Sequence, residues 1–168
     1  MLQVLGYYQY RKTSNEWTFL TNMTTIRVFS ASVPLNGKLW VTGGDQNGLP
    51  STEYVFPNGD VSQPGPDLPS ARAGHCAVKL STGQVILLGG EYGGENGKSV
   101  IMFDPDTETF DMSLPSLKTS RFNFGCAVFK SAMHDNREVV LAVGGLFRAT
   151  AEIWDYTQLN AEWTKSNY

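Results

Sequence analysis

The amino-acid sequence predicts an all-β protein made of tandem copies of one four-stranded antiparallel meander, each roughly 50 residues long. An alternating apolar stretch runs through a turn into a second apolar stretch that ends in two glycines, three times over. The three are FSASVPLNGKLWVTGG ending at Gly43-Gly44, HCAVKLSTGQVILLGG ending at Gly89-Gly90, and CAVFKSAMHDNREVVLAVGG ending at Gly144-Gly145. The pairs lie 46 and 55 residues apart, a repeat spacing and not a domain spacing. The charged fraction of 17% is below the usual quarter, and 17 Gly and 8 Pro fall too close together to leave room for a three-turn helix with an apolar stripe.

Each element has its own signal. The hairpin between the first two strands is closed by Asn36-Gly37 and Thr82-Gly83 in the earlier copies. In the last copy the polar stretch from Ser131 to Arg137 takes that place, which accounts for the wider spacing. A variable loop follows each glycine pair, then a third strand predicted to end in an aromatic at Phe56, Phe103 or Trp154. Turns come next at Pro57-Asn58-Gly59-Asp60, Asp104-Pro105-Asp106 and Asp155-Tyr156-Thr157, before a fourth strand containing Val61, Phe110 or Trp163. The segments Pro64 to Ser70 and Leu114 to Thr119 cross from one unit to the next. The N-terminal stretch matches only the second half of a unit, with Tyr8 to Tyr10, the turn Lys12-Thr13-Ser14-Asn15 and Trp17. The expected organisation is one domain with a partial unit over 1–24 and full units over 25–70, 71–119 and 120–168.

A glycine pair closing one strand, then a strand bearing Tyr or another aromatic, then a later aromatic, resembles the kelch repeat of β-propellers. Its elements stand at Gly43-Gly44 with Tyr54 and Phe56, at Gly89-Gly90 with Phe103 and Phe110, and at Gly144-Gly145 with Trp154 and Trp163. The first full copy departs from the pattern at Val61, where an aromatic is usual. The resemblance implies a kelch-type β-propeller, here an open arc of about three and a half four-stranded blades. It also implies a non-catalytic scaffold for a protein partner. The arc is expected to be part of a longer gene product, or to close a ring by self-association. Stacking is also a physical need, because a four-stranded sheet with two apolar faces buries both only against neighbours. Trp154, Trp163, Phe103, Phe110 and Trp17 are expected between blades.

The formal charge of -3 without a Lys/Arg cluster argues against a nucleic-acid interface, and no apolar run reaches 18 residues, so no membrane-spanning helix is expected. No catalytic, cofactor-binding or metal-ligating residues are assigned: His75 and His134 are the only histidines, and the Gly90 to Lys98 loop lacks the order of a phosphate cradle. Asp104, Asp106 and Glu108 read as an acidic turn. The competing reading is a propeller-fold enzyme, oxidative or carbohydrate-active, with its catalytic residues outside this chain. Cys76 and Cys126, placed in one register with Ala31 on the innermost strands, are expected to be buried free thiols. Arg27 and Arg72 stand four residues before Ala31 and Cys76, and Arg121 is offset by one, with Phe122 in register. These arginines are expected to form a positive rim that clamps an acidic peptide or loop. Asn22-Met23-Thr24 matches the N-glycosylation acceptor pattern, and the compartment stays open.

Overall fold

A computed structural model describes residues 6–45, 47–90 and 95–166. It holds a two-stranded sheet of β1 (Gly6–Arg11) and β2 (Glu16–Asn22), followed by three four-stranded sheets. The first is β3 (Ala31–Leu35), β4 (Lys38–Thr42), β5 (Thr52–Val55) and β6 (Gln63–Gly65). The second is β7 (Cys76–Lys79), β8 (Val85–Leu88), β9 (Val100–Asp104) and β10 (Thr109–Asp111). The third is β11 (Gly125–Ser131), β12 (Arg137–Val143), β13 (Ala151–Trp154) and β14 (Thr164–Ser166). Every pairing is antiparallel between strands consecutive in sequence, and the only helical segments among the described residues are single 3-10 turns at Glu95–Gly97 and Ala132–His134. Part of the loop from Gly90 to Lys98, residues 91–94, lies outside the described residues.

Pairing register defines which residues are equivalent between sheets: Ala31 lies opposite Thr42, Cys76 opposite Leu88, and Gly125 opposite Val143. From these anchors the two-residue pleat assigns each side chain to a face. Val33, Leu35, Trp40 and Tyr54 of the first sheet pack on Ala77, Val85, Leu87, Ile101 and Phe103 of the second. The opposite face of the second sheet, with Val78, Leu80, Ile86, Leu88 and Val100, packs on Cys126, Val128, Val140, Ala142, Trp154 and Trp163. The Trp40 and Phe103 rings stack with centroids 4.3 Å apart, and Trp154 and Trp163 lie 5.6 Å apart. Burying an aromatic of this size removes on the order of 150–250 Å² from water, so these rings dominate the contact between sheets.

Three sequence expectations need correction. Phe56 falls beyond β5 and Val61 is 73% exposed; register puts Val55 and Ser62 where the other sheets carry Phe103 with Phe110 and Trp154 with Trp163. Ser62 is polar there because its hydroxyl donates to the buried Glu53 carboxylate at 3.0 Å. Trp17 is 70% exposed, since the face of β1–β2 that carries Tyr8, Tyr10, Trp17 and Phe19 has no described sheet against it.

The third correction concerns the thiols: Cys76 and Cys126 form a disulfide, with Cα atoms 6.0 Å apart. Cys76 is equivalent to Gly125, so Cys126 sits one residue further along and points the other way. Cys76 therefore faces the third sheet while Cys126 faces back to the second, and the bridge spans the gap that an equal register would have left open.

Candidate functional site at the mouth of the arc

At one end of the arc the first strand of each sheet begins, the second strand ends, and successive sheets are tied together. The second glycine of the first two pairs donates to the next sheet, Gly44 N–H to the Arg72 carbonyl at 2.8 Å and Gly90 N–H to the Arg121 carbonyl at 3.0 Å. Both glycines of each pair have positive φ, for example +58° at Gly89 and +103° at Gly90. At Gly90 a Cβ would also collide with His75, so the position needs glycine on both counts.

The arginines lie inside this end. With Gly125 as the anchor, Arg121 stands four residues before it, as Arg27 and Arg72 do before theirs, and the apparent one-residue offset disappears. Arg27 Nη1 donates to the carbonyls of Gly43 and Ser51 at 2.7 and 2.8 Å. Arg72 Nη1 donates to the Gly89 carbonyl at 2.7 Å and its Nη2 to Ser99 Oγ at 2.6 Å, while Arg121 Nη1 reaches the carbonyls of Gly144 and Thr150 at 2.7 and 2.8 Å. All three are buried. The expected rim of guanidiniums facing a partner is thus replaced by internal clamps: each head holds the loop between second and third strands of its own sheet.

Two of the clamps contain a carboxylate that the sequence reading did not single out. Glu53 accepts from the backbone N–H groups of Thr24 and Thr25 at 2.8 and 3.1 Å and from Arg27 Nε at 3.1 Å. Glu152 accepts from Lys118 N–H at 2.6 Å, Thr119 N–H at 3.0 Å and Arg121 Nη2 at 3.0 Å. Burial by itself pushes the Glu53 carboxyl up, but hydrogen bonds from Thr24 and Ser62 and the Arg27 charge hold it below the usual carboxylate value. The second sheet has Ile101 at the equivalent position, and the crossing before Arg72 has Pro69 where the others have Thr24 and Lys118. A missing acceptor is matched by a missing donor, as a buried polar site requires.

His75 lies under the glycines, with Nε2 2.7 Å from Thr42 Oγ1. Burial and the neighbouring Arg72 charge lower its pKa to about 3, so it is neutral at physiological pH.

What the mouth turns outward is apolar. Gly74 N–H donates to the Phe29 carbonyl at 2.7 Å and Asn123 N–H to the Gly74 carbonyl at 2.8 Å, a string that joins three sheets through residues with φ of +59°, +64° and +50° at Phe29, Gly74 and Asn123. A Cβ on Gly74 would collide with the Phe122 ring; its absence lets Phe122 approach Phe29, with centroids 6.0 Å apart. Phe29 is 49% exposed and Phe147 80%, with Ile26, Val28 and Leu146 exposed beside them. The sequence carried a signal for these residues, since Arg-Val-Phe, Arg-Phe-Asn-Phe and Gly-Gly-Leu-Phe-Arg put aromatics in loops where turn residues are the rule. At the opposite end, a cavity of about 530 Å³ opens between β1 and the first sheet, lined by Tyr7, Leu20, Pro34, Leu39, Val55 and Phe56 among others.

No family model matches the chain. Kelch-like protein 15 of Mus musculus and that of Homo sapiens are each 34% identical to it over 103 residues, covering 55% of this chain and 17% of theirs. The solved structure of YjhT superposes with a TM-score of 0.75 at 17% identity, over 97% of this chain and 59% of that one. The chain thus spans about a sixth of the length of the curated relatives it matches and somewhat over half of the matching structure. Taken with the repeated blade geometry, these likenesses support a kelch-type β-propeller fold for the chain.

Proposed function

We propose that the chain is a non-catalytic protein-interaction scaffold that offers the mouth of the arc to a partner protein. The observation that carries this reading is the exposure of Phe29 and Phe147, with the half-buried Phe122 packed against Phe29, on a base fixed by buried arginines. Rigid aromatics on a preorganised base are the anchors from which protein interfaces draw most of their binding energy. Kelch-like relatives support the same class of function. An acidic segment of the partner would meet exposed cations such as Lys98 and Arg148, while Arg27, Arg72 and Arg121 are enclosed. A carboxylate-based catalytic centre finds Glu53 and Glu152 already held by arginines and backbone N–H groups. The apolar faces at the two ends, Tyr8 to Phe19 on one side and Phe129 with Val143 on the other, match the interior blade faces in character; further blades or a second copy complete the ring.

The test is co-purification with cross-linking from source tissue, comparing the native chain with Phe29→Ser/Phe147→Ser. The double variant should melt at the native temperature and lose the partner. A partner that survives that change, yet is lost with Val61→Ser and Leu159→Ser on the outer surface, would move the interface away from the mouth.

A further inference from the structure

The bridge between Cys76 and Cys126 bears on where the chain matures. Both cysteines are half-buried, and a reducing compartment does not favour formation of such a bond. A chain that keeps it has matured in an oxidising compartment. Compartments of the secretory route also transfer N-linked oligosaccharide to Asn-X-Ser/Thr triplets.

The sequence holds one such triplet, Asn22-Met23-Thr24. Asn22 ends β2, which takes the outer position that β6, β10 and β14 take in the complete sheets. The main chain there is fixed: the N–H groups of Thr24 and Thr25 donate to Glu53 at 2.8 and 3.1 Å. The side chains of Asn22 and Thr24 are both exposed. Oligosaccharide is attached to the emerging chain, so a modified asparagine must end on the surface or folding stops; Asn22 meets that condition. From the exposed triplet and the bridge together, we infer that Asn22 carries an N-linked glycan and that the protein folds in the oxidising compartment where the Cys76–Cys126 bond forms.

The test is mass spectrometry of the protein from its natural source, with thiols alkylated before lysis. Trypsin should release Thr13–Arg27 bearing hexose and N-acetylhexosamine, and treatment with peptide N-glycosidase should convert its Asn22 to aspartate. Ala73–Lys79 and Phe122–Lys130 should appear as one disulfide-linked pair. An unmodified Thr13–Arg27 peptide would overturn the proposal whatever the state of the cysteines, and alkylated, unlinked cysteines would overturn the argument from the bridge. In insect cells secreting the chain, Asn22→Gln and Thr24→Ala should remove the glycan while Thr24→Ser keeps it. The two alanine and serine variants leave the backbone donor to Glu53 in place, so loss of glycan with Thr24→Ala cannot be assigned to loss of that bond. A secreted chain without glycan at Asn22 would also refute the site.

Discussion

Replacing Glu152 with Ile, the residue at the equivalent position of the second sheet, should destabilise the protein far more than its shape suggests. Glu152 is fully buried and accepts from two backbone N–H groups and from Arg121. Isoleucine leaves Lys118 N–H and Thr119 N–H without an acceptor, at about 1–3 kcal/mol each for a buried donor. Arg121 keeps its carbonyl partners, as Arg72 does beside Ile101, so its share of the loss is small. The two orphaned donors together set the expected cost at about 2–6 kcal/mol. Lys118→Pro removes one of the two donors, copying Pro69, and Leu117 before it matches Leu68 before Pro69. In the Glu152→Ile background it should therefore restore about 1–2 kcal/mol. By itself Lys118→Pro should destabilise, because it deletes a bond to Glu152 and an exposed ion pair to Glu162. Urea unfolding of the four proteins closes the cycle. A cost below about 1 kcal/mol for Glu152→Ile, or a coupling of zero, would refute the account of matched donor and acceptor.

Removing the bridge with Cys76→Ser/Cys126→Ser frees a loop with a sequence separation of 50. Chain entropy then predicts a loss of up to about 4 kcal/mol, read as a lower melting temperature that added reductant no longer shifts. His75 binds its proton near pH 3 when folded and near 6.5 when unfolded, so the unfolded chain takes up the proton first and stability falls as pH drops through that window. Between pH 7 and pH 5 this amounts to about 2 kcal/mol, and His75→Phe, which copies Phe124 of the third sheet, should flatten that part of the urea-midpoint profile. Arg27→Ala should lower the unfolding free energy by several kcal/mol, because Glu53 stays buried without its cation; an unchanged unfolding free energy would restore the view of Arg27 as a surface residue.

Strands and turns were legible because their signals are local: the two-residue pleat, Asn36-Gly37, and glycine pairs that need positive φ. The facing of side chains was less so. Aligning Cys76 with Cys126 slipped the third copy by one residue, and in a strand one residue exchanges the faces, which turned a bridge into two separate thiols. Aligning the arginines would have given the true register, since Arg27, Arg72 and Arg121 each stand four residues before Ala31, Cys76 and Gly125. The enclosure of those arginines depends on carboxylates 26 and 31 residues away, a pairing that no local pattern carries. The same distance hides Glu53 and Glu152, which read in isolation as solvent-facing strand residues. Phe29 shows the converse: an aromatic next to a strand reads as core until the left-handed backbone at its own position turns it outward.

The claim that successive blades stack with one repeated geometry has a direct test. The bridge joins the first residue of β7 to the second residue of β11, and the corresponding positions between the first and second sheets are Ala31 and Ala77. In Ala31→Cys/Ala77→Cys, oxidation should form a second disulfide, leaving no thiol reactive toward Ellman's reagent in the denatured protein and linking the two sites in a non-reducing peptide map. The register-shifted variant Ala31→Cys/Val78→Cys should keep both new thiols free, because Val78 faces the third sheet. Bridging in the shifted pair, or two free thiols in the matched pair, would contradict the repeated stacking on which the mouth and its outward aromatics depend.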